Sequence, residues 1–248
     1  MSGHARRPVD AARRRERRVG AYARLDRDRV RRVGVPEVVL AEGKTVEHLL
    51  GIVRAFREDG RGALLSRPTA AQLAALRRED PDGRSIKVLA HNRLIRLVGP
   101  LGVRYRPGTV AILAAGTSDV PVAEEARALL TELGLTVVHA YDVGVAGLHR
   151  LLGALARLER ADPTTYLVFA GREGALPTVV AGLVRAPVVG VPTSVGYGRG
   201  GRGEAALAAM LQSCAPLAVV NIDAAVPAAL FAAQRFLEPP SRARRRRS

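Results

Sequence analysis

The stretch "VAILAAGTSDVPVAEEARALLTELG", Val110 to Gly134, holds two periodicities joined by a turn of small residues. An unbroken apolar run comes first, and such a run suits a strand buried on both faces rather than one with a wet side. From Val122 the spacing becomes helical: Val122, Ala126, Leu129, Leu130 and Leu133 share one face, and Gly134 supplies the stop. Pro121 suits a first helical turn, and Ser118 or Asp119 is expected to cap it. Between strand and helix lies Gly116-Thr117-Ser118-Asp119, where the unpaired amides of a helix start can meet an anion.

The alternation repeats downstream. Apolar runs recur at 136–141, 165–171, 186–192 and 217–223 after the first at 109–115, with helical spacing over 146–160, 175–184, 203–214 and 226–236. Five strands alternating with helices predict an α/β fold, a three-layer flavodoxin-like parallel sheet of five strands. In such sheets ligands bind beyond the carboxyl ends of the strands. Each run here ends in small, polar or charged residues that suit a ligand better than a core, at 116–119, 141–144, 171–174, 192–198 and 221–223. Five such ends on one edge point to a nucleotide-sized site.

The first half is less regular. Residues 22–34 read as a short basic helix, and "PEVVLAEG" as a strand ending at Glu42-Gly43-Lys44. "TVEHLLGIVRAFRE" is a helix that Thr45 can cap, "GALLSR" a strand, "TAAQLAALRRE" a helix and "SIKVLAHNRLIRLVG" extended structure. This predicts a small α/β domain over 19–100 and a Pro- and Gly-bounded linker at 101–108, then the second domain at 109–237. No internal repeat stands out.

Composition narrows the function classes. Of 248 residues 48% are hydrophobic, but only 4% are aromatic and none is Trp, so the core must be built from Ala, Val and Leu. No apolar run reaches the ~18 residues of a membrane span, and the first 18 residues lack the apolar centre of a secretory signal. A cytoplasmic protein without membrane partners is expected. The net charge of +16 sits mostly at the extremities, with twelve arginines against four acidic residues in 1–32 and five against one in 238–248. Such blocks read as solvated basic tails, over 1–18 and 238–248, that touch nucleic acid only non-specifically.

A single cysteine, Cys214, excludes an internal disulfide and a cysteine-cluster metal site. It closes the predicted helix at 203–214, where the helix dipole does not favour an anion, so the residues alone leave a buried hydrophobe and a nucleophile both open. His149-Arg150 opens a helix after "DVGVAG"; Asp119, Asp142, Glu173 and Asp223 suit helix starts as well as a ligand. No residues have metal-ligand spacing, which leaves a magnesium ion shared with substrate phosphates. No tightly bound organic cofactor is indicated. The Gly-rich "SVGYGRGGRGEAALAAMLQSC" lacks the Gly-Lys-Ser/Thr of a P-loop. It reads as a lid over a nucleotide, with Arg199 and Arg202 supplying charge, or as a surface loop.

Six segments together, "AGTSDVPVAEEA", "YDVGVAGLHRLL", "AGREGALPTVVAGLV", "PVVGVPTSVGYG", "MLQSCAP" and "VVNID", resemble the LarB family of nickel-pincer cofactor biosynthesis. That family's second domain is similar to aminoimidazole ribonucleotide (AIR) carboxylase, and "LDRDRVRRVGVPEVVLAEGKT" resembles its N-terminal domain. The resemblance implies carboxylation of nicotinic acid adenine dinucleotide at pyridinium C5 by CO2 or bicarbonate. It also implies cleavage of the phosphoanhydride to AMP and pyridinium-3,5-biscarboxylic acid mononucleotide, and a homo-oligomer, an octamer in relatives. By the same resemblance Cys214 is the nucleophile, His149 a proton carrier and Glu173 a third catalytic group. Substrate contacts fall to Gly116, Thr117, Ser118, Asp119, Asp142, Arg150, Gly171, Ser194, Gly196 and Tyr197, with Glu42 and Lys44 from the N-terminal domain. An AIR-carboxylase-like mutase, which needs no cysteine, and a non-catalytic nucleotide-binding protein are the alternatives. The chain departs from the family after Asp223, where Ala224-Ala225-Val226-Pro227 replaces Asn-Gly-Phe-Gly.

Overall fold

The computed structural model describes residues 16–196 and 198–238; the predicted tails beyond these bounds and Tyr197 lie outside the described residues. The chain divides into two compact units between Val103 and Arg104.

The first unit opens with an antiparallel hairpin, β1 (Glu16–Val19) and β2 (Ala23–Asp26), followed by α1 (Arg29–Val33). Two expectations fail here: residues 22–34 are not one helix, and the strand begins inside the stretch read as tail. The alternation that pairs Arg17 with Leu25 and buries Leu25 is only a few residues long, and dense arginine hides it. Then come β3 (Val38–Leu40), α2 (Val46–Glu58), β4 (Ala63–Ser66), α3 (Ala70–Glu79) and the antiparallel pair β5 (Ile86–Leu89) and β6 (Leu94–Leu97). The sheet order is β3-β4-β6-β5, with β3 and β4 parallel. Thr45 caps α2 by accepting from the His48 amide, and Thr69 with Gln72 forms a capping box on α3. Leu49, Ile52, Val53 and Phe56 of α2 and Leu73 and Leu76 of α3 close the core over Leu65, Ile95 and Leu97.

The second unit is the predicted five-stranded parallel sheet. In chain order it runs β7 (Thr109–Ala114), α4 (Val120–Glu132), β8 (Thr136–Ala140), α5 (Leu148–Glu159), β9 (Thr165–Ala170), α6 (Ala175–Ala181), β10 (Val188–Pro192), α7 (Glu204–Leu211), β11 (Leu217–Val219) and α8 (Ala225–Ala233). The strand order is β11-β10-β9-β7-β8, every pairing parallel. Leu151, Leu155 and Leu158 of α5, Leu176 and Val180 of α6 and Met210 of α7 cover one face over Leu113, Tyr166 and Val168. On the other face α4 and α8 pack side by side, and fully buried Ala228, Ala229, Ala232 and Ala233 let α8 approach closely. Two ends fall short of expectation, β11 at Val219 and α7 at Leu211. Residues 104–106, read as linker, are stitched to the far end of this unit. Tyr105 bridges Leu237, the Arg106 amide donates to the Phe236 carbonyl, and the Glu238 amide donates to the Arg104 carbonyl.

Candidate functional site

From β7 the chain steps to β8 on one side and then crosses to β9 on the other. The order therefore reverses between β7 and β9, and the crevice beyond their carboxyl ends is where ligands of such sheets bind. Gly116–Asp119 leaves β7 at this point and Gly171–Gly174 leaves β9.

Asp119 is the centre of the crevice. It heads α4 without capping it through its side chain, against expectation. Its carboxylate turns back instead: one oxygen accepts from the Gly116 amide at 2.9 Å and the other from the Thr193 hydroxyl. Only 5% of Asp119 is exposed. Burial raises its pKa above the ordinary carboxylate value, and the nearby Glu173 and Asp223 charges add to this; the Thr193 and Gly116 hydrogen bonds oppose it without cancelling it. Asp119 thus keeps a proton to higher pH than a free carboxyl.

Gly171 forms the floor. A Cβ built there would collide with the Thr193 hydroxyl and the Val195 carbonyl and lie 3.0 Å from an Asp119 oxygen, so only glycine lets the three strand ends close up. Thr193 is fully buried at the end of β10 and received no role from the sequence. Asp223 takes the left-handed conformation beyond β11 (φ 55°) and accepts from the Ser194 amide at 2.9 Å, tying the fourth and fifth strand ends together. Gly116, Asp119, Gly171, Thr193, Ser194 and Asp223 are therefore one connected cradle. Thr117, Ser118, Glu173 and Gly196 are exposed on its rim.

The β8 side is adjacent. The Val143 amide donates to the Ala114 carbonyl, and Gly144 passes so close to the Ala115 carbonyl that a Cβ would lie 2.8 Å from it. Asp142 (φ 57°) accepts from the Arg150 guanidinium at 2.7 Å, and His149 is exposed in the first turn of α5. This side presents a cation, a carboxylate and an imidazole next to the cradle.

Cys214 lies elsewhere. It is exposed, three residues beyond α7 and ahead of β11, at the amino edge of the sheet rather than the carboxyl edge. It does not close the helix as expected. The Ser213 hydroxyl accepts from the Thr178 hydroxyl (3.0 Å) and from the Ala215 amide (3.1 Å), which ends the helical run and ties this segment to α6. Glu42 and Lys44 belong to the first unit, beyond β3. Gln72 holds their turn by donating to the Ala41 and Lys44 carbonyls, and Glu42 pairs with Arg67 at 3.4 Å. Among the described residues no three His, Cys, Asp or Glu side chains form a metal-sized cluster, and no helix is long and apolar enough to cross a membrane.

An open parallel sheet with a polar cradle at its switch point defines a doubly wound α/β unit whose ligand crevice lies at the strand ends. Comparison with known families sharpens this. Residues 109–239 match the AIR carboxylase family and residues 17–97 the LarB/PurE-like N-terminal domain. The chain belongs to the LarB-like proteins that carry an AIR carboxylase (PurE-like) domain. It is 40% identical over 212 residues to an uncharacterized protein of Methanocaldococcus jannaschii, covering 84% of this chain and 82% of that one. The N5-carboxyaminoimidazole ribonucleotide mutases of M. jannaschii and Pyrococcus horikoshii are 32% and 33% identical over half of this chain, covering 75% and 69% of their own lengths. The chain is an enzyme of the carboxylase/mutase-like class.

Proposed function

We propose that this enzyme carboxylates nicotinic acid adenine dinucleotide at C5 of the pyridinium ring and hydrolyses its phosphoanhydride, giving AMP and pyridinium-3,5-biscarboxylic acid mononucleotide. The observation that carries the proposal is the union, in one chain, of a LarB/PurE-like N-terminal domain with an AIR carboxylase unit. An exposed sole thiol supports it.

CO2 and a pyridinium ring are both electrophiles, so the ring must first be made electron-rich. The Cys214 thiolate adds to a ring carbon next to C5, and the displaced π pair moves to the ring nitrogen. C5 of the resulting enamine then attacks CO2 and forms the new C–C bond. Loss of the C5 proton, with His149 or Glu173 as acceptor, restores the enamine, and expulsion of the thiolate restores aromaticity. Covalent catalysis splits one unfavourable encounter into easier steps. Water cleaves the phosphoanhydride separately. The exposed rim residues Thr117 and Ser118, with Arg150, suit the phosphates and carboxylate, and a magnesium ion carried by those phosphates would take Glu173 as a ligand.

Incubation with the dinucleotide, bicarbonate and magnesium, read by mass spectrometry, is expected to yield AMP and a mononucleotide one carboxyl group heavier than nicotinate mononucleotide. Cys214→Ser is expected to abolish the carboxylated product. The likeness to the mutases favours a second reading, a rearrangement of carboxylated aminoimidazole ribonucleotide. Turnover of that substrate, undiminished in Cys214→Ser, would establish it instead.

A further inference from the structure

The run Gly198–Gly203 reads Gly-Arg-Gly-Gly-Arg-Gly, so the two positions not given to glycine are both arginine. The run is fitted against the cradle. A Cβ on Gly203 would lie 2.6 Å from the Thr193 carbonyl, and one on Gly200 would lie 3.8 Å from the Arg172 carbonyl. Just ahead of the run, a Cβ on Gly196 would lie 3.3 Å from the Gly171 carbonyl. The segment thus crosses the carboxyl ends of β9 and β10, where Thr193 meets Asp119. Arg199 and Arg202 are exposed, and among the described residues neither makes a hydrogen bond or an ion pair. Arg202 holds the left-handed conformation (φ 61°), which strains an arginine and suits a glycine.

The crevice beside them is furnished with carboxylates. Asp119 feels the charges of Glu173 and Asp223, and Arg150 is already engaged by Asp142. A pyridine dinucleotide brings two ionised phosphates here, and a guanidinium fork matches phosphate oxygens two at a time. We propose that Arg199 and Arg202 grip the diphosphate bridge of the substrate and so select a dinucleotide over a mononucleotide. The fold bears a left-handed arginine between two glycines for the sake of that side chain. The identity of the ligand rests on the carboxylase reading; the preference for two linked phosphates over one does not.

The probe is nicotinic acid adenine dinucleotide with CH2 in place of the bridging oxygen, which cannot be cleaved. It is titrated calorimetrically into the full-length protein with magnesium at fixed ionic strength, with AMP and nicotinate mononucleotide as single-phosphate controls. Arg199→Ala/Arg202→Ala is expected to bind the analogue about a hundredfold more weakly, about tenfold for each charge-assisted contact. Its affinity for either mononucleotide is expected to stay within about threefold of wild type. Arg202→Gly is expected to bind the analogue about tenfold more weakly yet to melt no lower than wild type, because glycine relieves the left-handed strain. Unchanged analogue affinity in the double variant, or an equal loss for all three ligands, overturns the proposal. So does a wild type that binds the analogue no better than AMP. Failure of the carboxylase reading looks different. Analogue binding that depends on both arginines, in an enzyme that forms no carboxylated product, upholds the diphosphate site and refutes that reading. Carboxylation with an unchanged KM in the double variant does the reverse.

Discussion

Asp119 is a carboxyl that folding makes harder to ionise, and the consequence for stability has a definite sign. The folded chain holds this proton to higher pH than the unfolded chain, whose value lies near the ordinary 3.8. Ionisation in the fold therefore costs stability. That cost is absent below the ordinary value, grows as pH rises through the window up to the elevated one, and is constant above it. Asparagine can still accept from the Gly116 amide and can donate to Thr193, but it cannot ionise. In urea titrations at stepped pH, Asp119→Asn is expected to gain on wild type as pH rises through that window; parallel curves would refute the buried carboxylate. Asp119 was legible in the sequence as a turn residue between strand and helix. Its partner Thr193 was not, because the two are 74 positions apart and meet only through a strand order that local pattern does not reveal.

Among the elements, the strands and helices of the second unit were the most legible, since double-sided burial writes continuous apolar runs and helix faces keep a 3.6 period. Their ends were less so. α7 stops at Leu211 because Ser213 accepts the Ala215 amide in a local turn, whereas the first breaker in the sequence, Pro216, lies five residues beyond that end. The β1–β2 hairpin was lost for the opposite reason: a four-residue alternation inside an arginine-rich segment gives too short a signal. Helix α5 carries the element-scale prediction. Leu151, Leu155 and Leu158 fasten it to the sheet, while Leu152 points away. Leu152→Asp is expected to leave the melting temperature within a few degrees of wild type, as about 0.5 kcal/mol or less is at stake at an exposed site. If copies of the chain associate through the exposed face of α5, sedimentation shows smaller assemblies for this variant than for wild type; an unchanged size distribution excludes that face.

At the scale of the whole molecule, two separately closed cores lead us to expect two units that unfold independently. Leu65 is 1% exposed in the first core. Its truncation to alanine is expected to cost about 2–5 kcal/mol, and hydrogen exchange should show the lost protection in 16–103 while β7 and β9 keep theirs. Protection lost equally across both units would show instead that they unfold as one. The second unit has one more property, set by the pairing of Tyr105 with Leu237. Its polypeptide comes in and goes out side by side, as in a cassette with both leads on one corner. Such a module can be spliced into a host loop, or joined lead to lead and reopened at the exposed turn around Asp162, without disturbing a strand.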